Sequence, residues 1–148
     1  KISFFEMNKN LNIGIVLINP CIQLSTKKVF SEWLPKNKII SEKKVLKVND
    51  LQDFLKITNI GNDLEKPAIK IVPEINLILK SFKNSNDCLQ FGMSGSGPTC
   101  YGIFANKKIA VKFKDNILLS KHLKNFWVWA GGMLSNAKRD LILPIKYN

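Results

Sequence analysis

The order of apolar and polar residues divides the chain into strand-like and helix-like segments. Residues 13–18 (IGIVLI) are nearly all apolar and mostly β-branched, which predicts a central strand buried on both faces. Further strand-like runs at 89–91, 99–104 and 126–130 predict three more strands. We therefore expect a four-stranded sheet.

Helix signals lie between these strands. Helices are predicted from Ser25 or Thr26 to Trp33, from Asn49 to Lys56 and from Lys107 to about Ser120. The side chains expected to face inward in the last two are Leu51, Phe54, Leu55, Ala110, Phe113 and Ile117. The segment from Lys36 to Lys47 is charged and predicts a surface loop.

Pro67, Pro73 and a capping signal before them indicate helix starts in the middle of the chain. Asn62 and Glu65 have the spacing of a capping box, which predicts that a helix starts there. Pro73 either begins a second helix or kinks the first, and the residues after it have the spacing of one buried face: Ile75, Ile78, Leu79 and Phe82. Because strands and helices do not alternate strictly, we predict an α+β fold. It has a four-stranded, mainly antiparallel (ferredoxin-like) sheet with helices packed on one face.

The charge of the chain raises the question of a nucleic-acid partner. The net charge is +12, but of the 23 basic residues only Arg139 is an arginine, and the lysines are scattered. Base-reading surfaces favour the bidentate guanidinium group, so we expect no specific nucleic-acid binding, although a basic surface can attract phosphorylated ligands. An RNA-binding α+β module remains an alternative. It would need aromatic side chains exposed on its sheet, whereas Trp127 and Trp129 are expected to be packed.

Cysteine usage and hydropathy bear on the cellular location. Cys21, Cys88 and Cys100 are odd in number and widely spaced, which is typical of reduced thiols in a cytoplasmic protein. No apolar run reaches the roughly 18 residues that span a bilayer, so we expect no membrane partner. The 148 residues suffice for one domain with a core of its own.

The stretch 91–105, FGMSGSGPTCYGIFA, carries the strongest chemical signal. It lacks the Gly-Lys-Ser/Thr ending of a phosphate-binding Walker loop, the Rossmann spacing and the serine-hydrolase elbow. The lone His122 is typical of a surface residue. Two interpretations stay open: a strand–loop–strand nest whose N–H groups bind an anion, or a tight turn with a bulge and no ligand.

Four separate stretches resemble one enzyme family. MSGSGPTCYGIF, at 93–104, is similar to the third, C-terminal glycine motif of the GHMP small-molecule kinases. The NDLE stretch at 62–65 and the strand and helix start at 17–30 (LINP, then ST and VF) are also similar, and Trp127–Val128 resembles the closing strand. One departure is Cys21, which stands where the family pattern has glycine.

The resemblance implies a site and a partner. Gly95, Ser96 and Gly97 would bind the phosphates of the cofactor ATP, with Ser94 and Thr99 as donors to the substrate. The family's phosphate loop, catalytic aspartate and lysine lie in an N-terminal domain whose pattern does not occur here. The resemblance therefore implies that 1–148 is a C-terminal domain that works with an N-terminal kinase domain. It implies no catalytic residue and no metal ligand in this chain, and no activity of the chain alone.

Within the family the chain is most similar to members of non-mevalonate isoprenoid biosynthesis. These transfer the ATP γ-phosphoryl group, with Mg²⁺, to the 2-hydroxyl of 4-diphosphocytidyl-2-C-methyl-D-erythritol, a cytidine-diphosphate methylerythritol substrate. Homoserine or mevalonate kinases remain the alternatives within the family, since the glycine motif alone does not exclude them. The NDLE stretch argues against both.

Overall fold

The backbone forms one antiparallel sheet and one short parallel pair of strands. The computed structural model describes residues 6–7, 11–33, 47–59 and 61–133. In chain order the strands are β1 (Glu6–Met7), β2 (Gly14–Asn19), β3 (Lys47–Val48), β4 (Cys88–Met93), β5 (Cys100–Phe104) and β6 (Trp127–Gly132). The helices are α1 (Thr26–Ser31), α2 (Leu51–Thr58), α3 (Glu65–Ile71), α4 (Glu74–Lys83) and α5 (Lys107–Leu118).

The four long strands confirm the predicted sheet and its α+β class. They lie in the order β4-β5-β2-β6, and every neighbouring pair is antiparallel. The central strand β2 places Val16 opposite Gly102 on one side and Ala130 on the other. The small β1–β3 pair was not predicted from the sequence, since each strand has only two residues.

One face of the sheet is covered by α4 and α5, as predicted. Their inward side chains are buried, and the rings of Phe82, Phe104 and Phe113 meet at its centre, with Phe82–Phe113 centroids 5.2 Å apart. Val16 and Ile18 of β2 point into the same cluster. Burying an aromatic or aliphatic side chain of this size contributes roughly 1.5–3 kcal/mol, so this face supplies most of the stability.

The opposite face is covered less completely. Phe54 of α2 packs there with Ile13, Val48 and Ile103. Ile15 is only half-buried on this face, so the expectation that β2 is buried on both faces is wrong. The reason is that α2 covers one part of this face.

Two tryptophans of β6 lie on this less covered face. Trp127 and Trp129 are 49% and 42% exposed, so the expectation that they are packed is also wrong. β6 is an edge strand, and both residues alternate with Val128 and Ala130, which face the helix-covered core. Neither pattern nor composition distinguishes an edge strand from a central one.

The helix starts that the sequence predicts are confirmed only in part. Ser25 caps α1 by accepting a hydrogen bond from the N–H of Lys28 at 3.4 Å, and α4 begins at Glu74 directly after Pro73. The predicted capping box at α3 is wrong, because the helix begins at Glu65 after Leu64, which provides no side-chain cap. Most of the predicted 36–47 loop lies outside the described residues. In the described ranges no helix is long and apolar enough to cross a membrane.

Candidate functional site

The glycine-rich stretch forms a tight loop that joins β4 to β5. The N–H of Ser94 donates to the carbonyl of Thr99 at 2.9 Å, and the N–H of Gly97 donates to the carbonyl of Ser94 at 3.0 Å. Gly95 and Gly97 have φ values of 56° and 82°, a region that L side chains rarely adopt. The backbone therefore favours glycine at both positions.

The surroundings of the two glycines differ. A Cβ placed on Gly97 would lie 2.7 Å from Sδ of the buried Met93 and 3.3 Å from Cδ2 of Leu24. A Cβ placed on Gly95 would meet no atom within 4 Å. Gly97 therefore packs against the core, whereas Gly95 borders open space that a ligand could enter.

Two amide donors of the loop are available to a ligand. Inside the loop the N–H groups of Ser94 and Gly97 are bonded, whereas those of Gly95 and Ser96 have no acceptor among the residues that the structure describes. Consecutive free N–H groups beside a glycine with positive φ have the chemistry of an anion-binding nest. The hydroxyl of Ser94 is exposed beside them.

The side chain of Asn62 holds the loop from the side of α3. Its Nδ2 donates to the carbonyls of Met93 and Gly95, both at 2.8 Å, while its Oδ1 accepts from the N–H of Leu64 at 3.0 Å. Sequence reasoning missed this role, because it assigned Asn62 to a helix cap. The available signal was that the NDLE stretch and the glycine stretch both match the same family.

Glu65 is bound to the same strand end. Its Oε2 accepts a hydrogen bond from the N–H of Met93 at 3.3 Å. Burial, with a smaller contribution from the Glu65 carboxylate, raises the pKa of the Cys100 thiol to about 12 and also raises the pKa of Tyr101. Both groups therefore stay protonated near neutral pH, so neither is an activated nucleophile there.

The stretch at 19–26 holds the loop from its other side. Nδ2 of Asn19 donates to Oγ1 of Thr99 at 2.8 Å, and the hydroxyls of Thr26 and Ser96 share a hydrogen bond of 3.0 Å. Cys21 has a φ of 59°, a conformation that favours glycine, and its N–H donates to Oδ1 of Asn19 at 2.7 Å. Three of the four stretches on which the resemblance rests therefore meet at one corner of the molecule.

A cavity of about 750 Å³ opens beside this corner. It lies between α2 and the less covered face of the sheet, and its walls include Leu17, Phe54 and Tyr101. Gly95 and Glu65 line it at the loop end. Ligand sites are commonly concave and largely apolar with a few convergent polar groups, and this cavity has that character.

The predicted site residues all lie in the loop, while the resemblance implies that Mg²⁺ is bound mainly by the N-terminal domain and not by this chain. Ser94, Gly95, Ser96, Gly97 and Thr99 share the six-residue turn, whereas His122 is exposed in a distant turn, as expected. In the described part of the chain no group of three or more Asp, Glu, His or Cys side chains could hold a metal ion. Glu65, the acidic residue bonded to the loop end, already accepts from the backbone. These residues do not fit a complete Mg²⁺ site.

Known proteins share this sequence pattern. The profile of a family described as GHMP kinases C terminal matches residues 42–122. A 4-diphosphocytidyl-2-C-methyl-D-erythritol kinase of Prochlorococcus marinus subsp. pastoris is 33% identical over 145 residues, which cover 88% of this chain and 46% of that protein. The chain spans about half the length of the curated relatives it matches.

Solved structures share the fold. The crystal structure of a 4-(cytidine 5'-diphospho)-2C-methyl-D-erythritol kinase gives a TM-score of 0.59 at 19% identity and covers 82% of this chain and 43% of its own. A homoserine kinase from Cytophaga hutchinsonii gives a TM-score of 0.56 at 17% identity, covering 86% and 44%. At such identities the likeness concerns the fold alone. Because the family profile covers more than half of the chain, the predicted resemblance is confirmed, and the chain belongs to the GHMP kinase C-terminal family.

Proposed function

We propose that this chain is the C-terminal domain of an ATP-dependent kinase that phosphorylates the 2-hydroxyl of 4-diphosphocytidyl-2-C-methyl-D-erythritol. The observation that carries the proposal is the glycine loop, in which the N–H groups of Gly95 and Ser96 have no acceptor among the described residues and open space borders Gly95. The choice of substrate is supported by the relatives, which are named for this reaction.

The loop residues have separate roles in this proposal. Gly95, Ser96 and Gly97 line the ATP phosphates, where the free N–H groups stabilise negative charge. Ser94 and Thr99 act as hydroxyl donors toward the substrate. Oγ1 of Thr99 accepts from Asn19, so its own hydrogen remains free to donate. Phosphoryl transfer depends mainly on positioning and charge stabilisation, and a fixed loop can provide both.

The proposal assigns the base and the main phosphate loop to a partner, the N-terminal kinase domain. Mg²⁺ neutralises phosphate charge in such reactions, but the described residues of this chain do not form its site, and we derive no step through it. We also propose a cytoplasmic location, supported by three free cysteines.

The direct test is a kinase assay with the cytidyl substrate, ATP and Mg²⁺. A two-domain protein that contains this chain should transfer the γ-phosphoryl group to the 2-hydroxyl, and ³¹P NMR of the product identifies the position. The 148-residue chain alone should be inactive, and turnover by it at about 1–100 s⁻¹, the usual range of kinases, would contradict the proposal.

Homoserine and mevalonate serve as competing substrates in the same assay. The fold does not distinguish these kinases, since a homoserine kinase has nearly the same TM-score as the cytidyl kinase. A higher kcat/KM for homoserine or mevalonate than for the cytidyl substrate would reassign the substrate within the family.

RNA binding is a second candidate because of one observation. Trp127 and Trp129 are exposed on the same face of β6, where they could stack on unpaired bases. With a single arginine in the chain, we expect any RNA affinity to lack sequence preference and to fall steeply with salt. Titration of RNA oligomers of different sequence at two salt concentrations tests this expectation. A sequence preference that survives high salt would favour the binding module.

A further inference from the structure

We propose that Asn62 is a positioning residue that fixes the orientation of the peptide unit between Gly95 and Ser96. In that orientation the N–H of Ser96 remains available to a phosphate oxygen. The phosphate in this inference rests on the proposed function, whereas the hydrogen bonds of Asn62 to the loop do not depend on it. It gives the NDLE stretch a role other than helix capping.

The geometry follows from the planarity of the peptide bond. The carbonyl of Gly95 and the N–H of Ser96 belong to one trans peptide unit, so they point in opposite directions. The Asn62 amide binds the Gly95 carbonyl at 2.8 Å, which turns the Ser96 N–H toward the other side of the loop. A flip of this unit would present the carbonyl oxygen, which repels an anion.

A flip of this unit rotates ψ of Gly95 and φ of Ser96, and the missing Cβ of Gly95 leaves its ψ less restricted than in other residues. A Cβ built on Gly95 would meet no atom within 4 Å, so packing does not restrain the unit there and a hydrogen bond is needed to fix it. Asn62 supplies the restraint with two donors, one to the carbonyl of Gly95 and one to that of Met93 at the fixed end of β4.

The orientation of the Asn62 side chain is itself determined by its surroundings. Its Oδ1 accepts from the N–H of Leu64, a donor that cannot serve Nδ2. The NH₂ group must therefore face the two carbonyls of the loop. This arrangement fits Asn better than Asp or Ser, because only an amide supplies an acceptor and two donors together.

Two variants separate the loop contact from the turn at Leu64. Asn62→Asp keeps an acceptor for the Leu64 N–H but loses both donors. Asn62→Ser replaces the two amide donors by one shorter hydroxyl, which cannot bind both carbonyls, and adds no charge. Asn86→Asp, at an exposed turn position, adds the same charge as Asn62→Asp and is the matched control.

The test uses NMR of the ¹⁵N,¹³C-labelled 148-residue chain, with inorganic pyrophosphate as the anion. In the unmodified chain, pyrophosphate should shift the amide signals of Gly95 and Ser96. Both Asn62 variants should weaken its binding about tenfold, the factor that corresponds to about 1.4 kcal/mol. Exchange of the Gly97 N–H should accelerate by a similar factor, and the NOE between Gly95 Hα and Ser96 H–N should change. The control should change none of the three.

The outcomes distinguish the two proposals. Unchanged exchange at Gly97 and an unchanged Gly95–Ser96 NOE in both variants would overturn the positioning role of Asn62. An altered NOE and faster exchange without any pyrophosphate shift in the unmodified chain would support the positioning of the peptide. That result would contradict the anion-binding role of the loop instead.

Discussion

The helix-covered face of the sheet and the glycine-loop corner are built on different physical principles. On the covered face, apolar side chains such as Phe82, Phe104 and Phe113 pack among many neighbours. At the corner, individual hydrogen bonds from Asn62 and Asn19 hold a loop that contains two glycines with positive φ. The covered face therefore determines stability, while the corner determines the position of a few polar atoms.

This difference predicts which mutations affect stability and which affect function. Loss of packing on the covered face leaves a cavity and destabilises the domain as a whole. Loss of one hydrogen bond at the corner changes stability by only about 0.5–1.5 kcal/mol, but it releases the loop.

The largest effect is expected for Phe82→Ala. Phe82 is fully buried and its ring stacks on Phe113 at 5.2 Å, so its removal should cost about 3–5 kcal/mol of unfolding free energy. Urea denaturation followed by tryptophan fluorescence measures this loss.

Phe30→Ala is the matched control for that prediction. Phe30 is 49% exposed on α1, so the same truncation should change the unfolding free energy by less than about 1 kcal/mol. Equal losses in both variants would contradict the assignment of the core to the covered face.

The covered face could be predicted from the sequence because burial leaves a periodic pattern. Ile75, Ile78 and Phe82 repeat at helical spacing and are buried, and Ala110 and Phe113 behave in the same way. The exposure of Trp127 and Trp129 could not be predicted, since it depends on the position of β6 at the edge of the sheet. Strand order is a tertiary property that the local pattern does not contain.

The corner could be predicted only in part. Three glycines at 92–97 are costly in conformational entropy, so the sequence predicts positive φ or close approach to the backbone there, and the φ values of Gly95 and Gly97 agree. The side chains that hold the loop come from positions distant in sequence, such as Asn62 and Thr26. The capping-box spacing predicts that Asn62 bonds within its own helix start, whereas in the fold its amide also bonds the carbonyls of Met93 and Gly95.

An intermediate effect is expected for Gly97→Ala. From the resemblance, alanine at either loop glycine is expected to act mainly where the loop faces the N-terminal kinase domain, rather than in the core. The structure changes this expectation for Gly97, because the new Cβ would lie 2.7 Å from Met93 Sδ. Backbone strain and overpacking together should cost about 2–4 kcal/mol, against about 1 kcal/mol for Gly95→Ala, which has open space. Thermal denaturation of both variants measures the difference, and equal losses would contradict the distinction between the two glycines.

The smallest effect is a gain in stability from Cys21→Gly. Cys21 adopts a φ of 59°, which costs a residue with a Cβ about 1–2 kcal/mol, while glycine costs about 0.5–1 kcal/mol of extra chain entropy. The net gain should be about 0.5–1 kcal/mol, read as a rise in Tm. Cys21→Ala removes the thiol but keeps the Cβ, so it should show no such gain. An equal gain from alanine would mean that the thiol, rather than the backbone, is unfavourable.

The most direct test of the central claim, that the glycine loop serves catalysis rather than folding, is the kcat/KM of Gly95→Ala. The variant is made in a two-domain kinase that contains this chain and is assayed with the cytidyl substrate, and its Tm is measured alongside. A Cβ at Gly95 enters the open space beside the free N–H groups without touching the core. We therefore expect kcat/KM to fall about tenfold or more, equivalent to about 1.4 kcal/mol of transition-state stabilisation, with a modest change in Tm. Full specific activity in the folded variant would contradict the account and leave the loop with a structural role only.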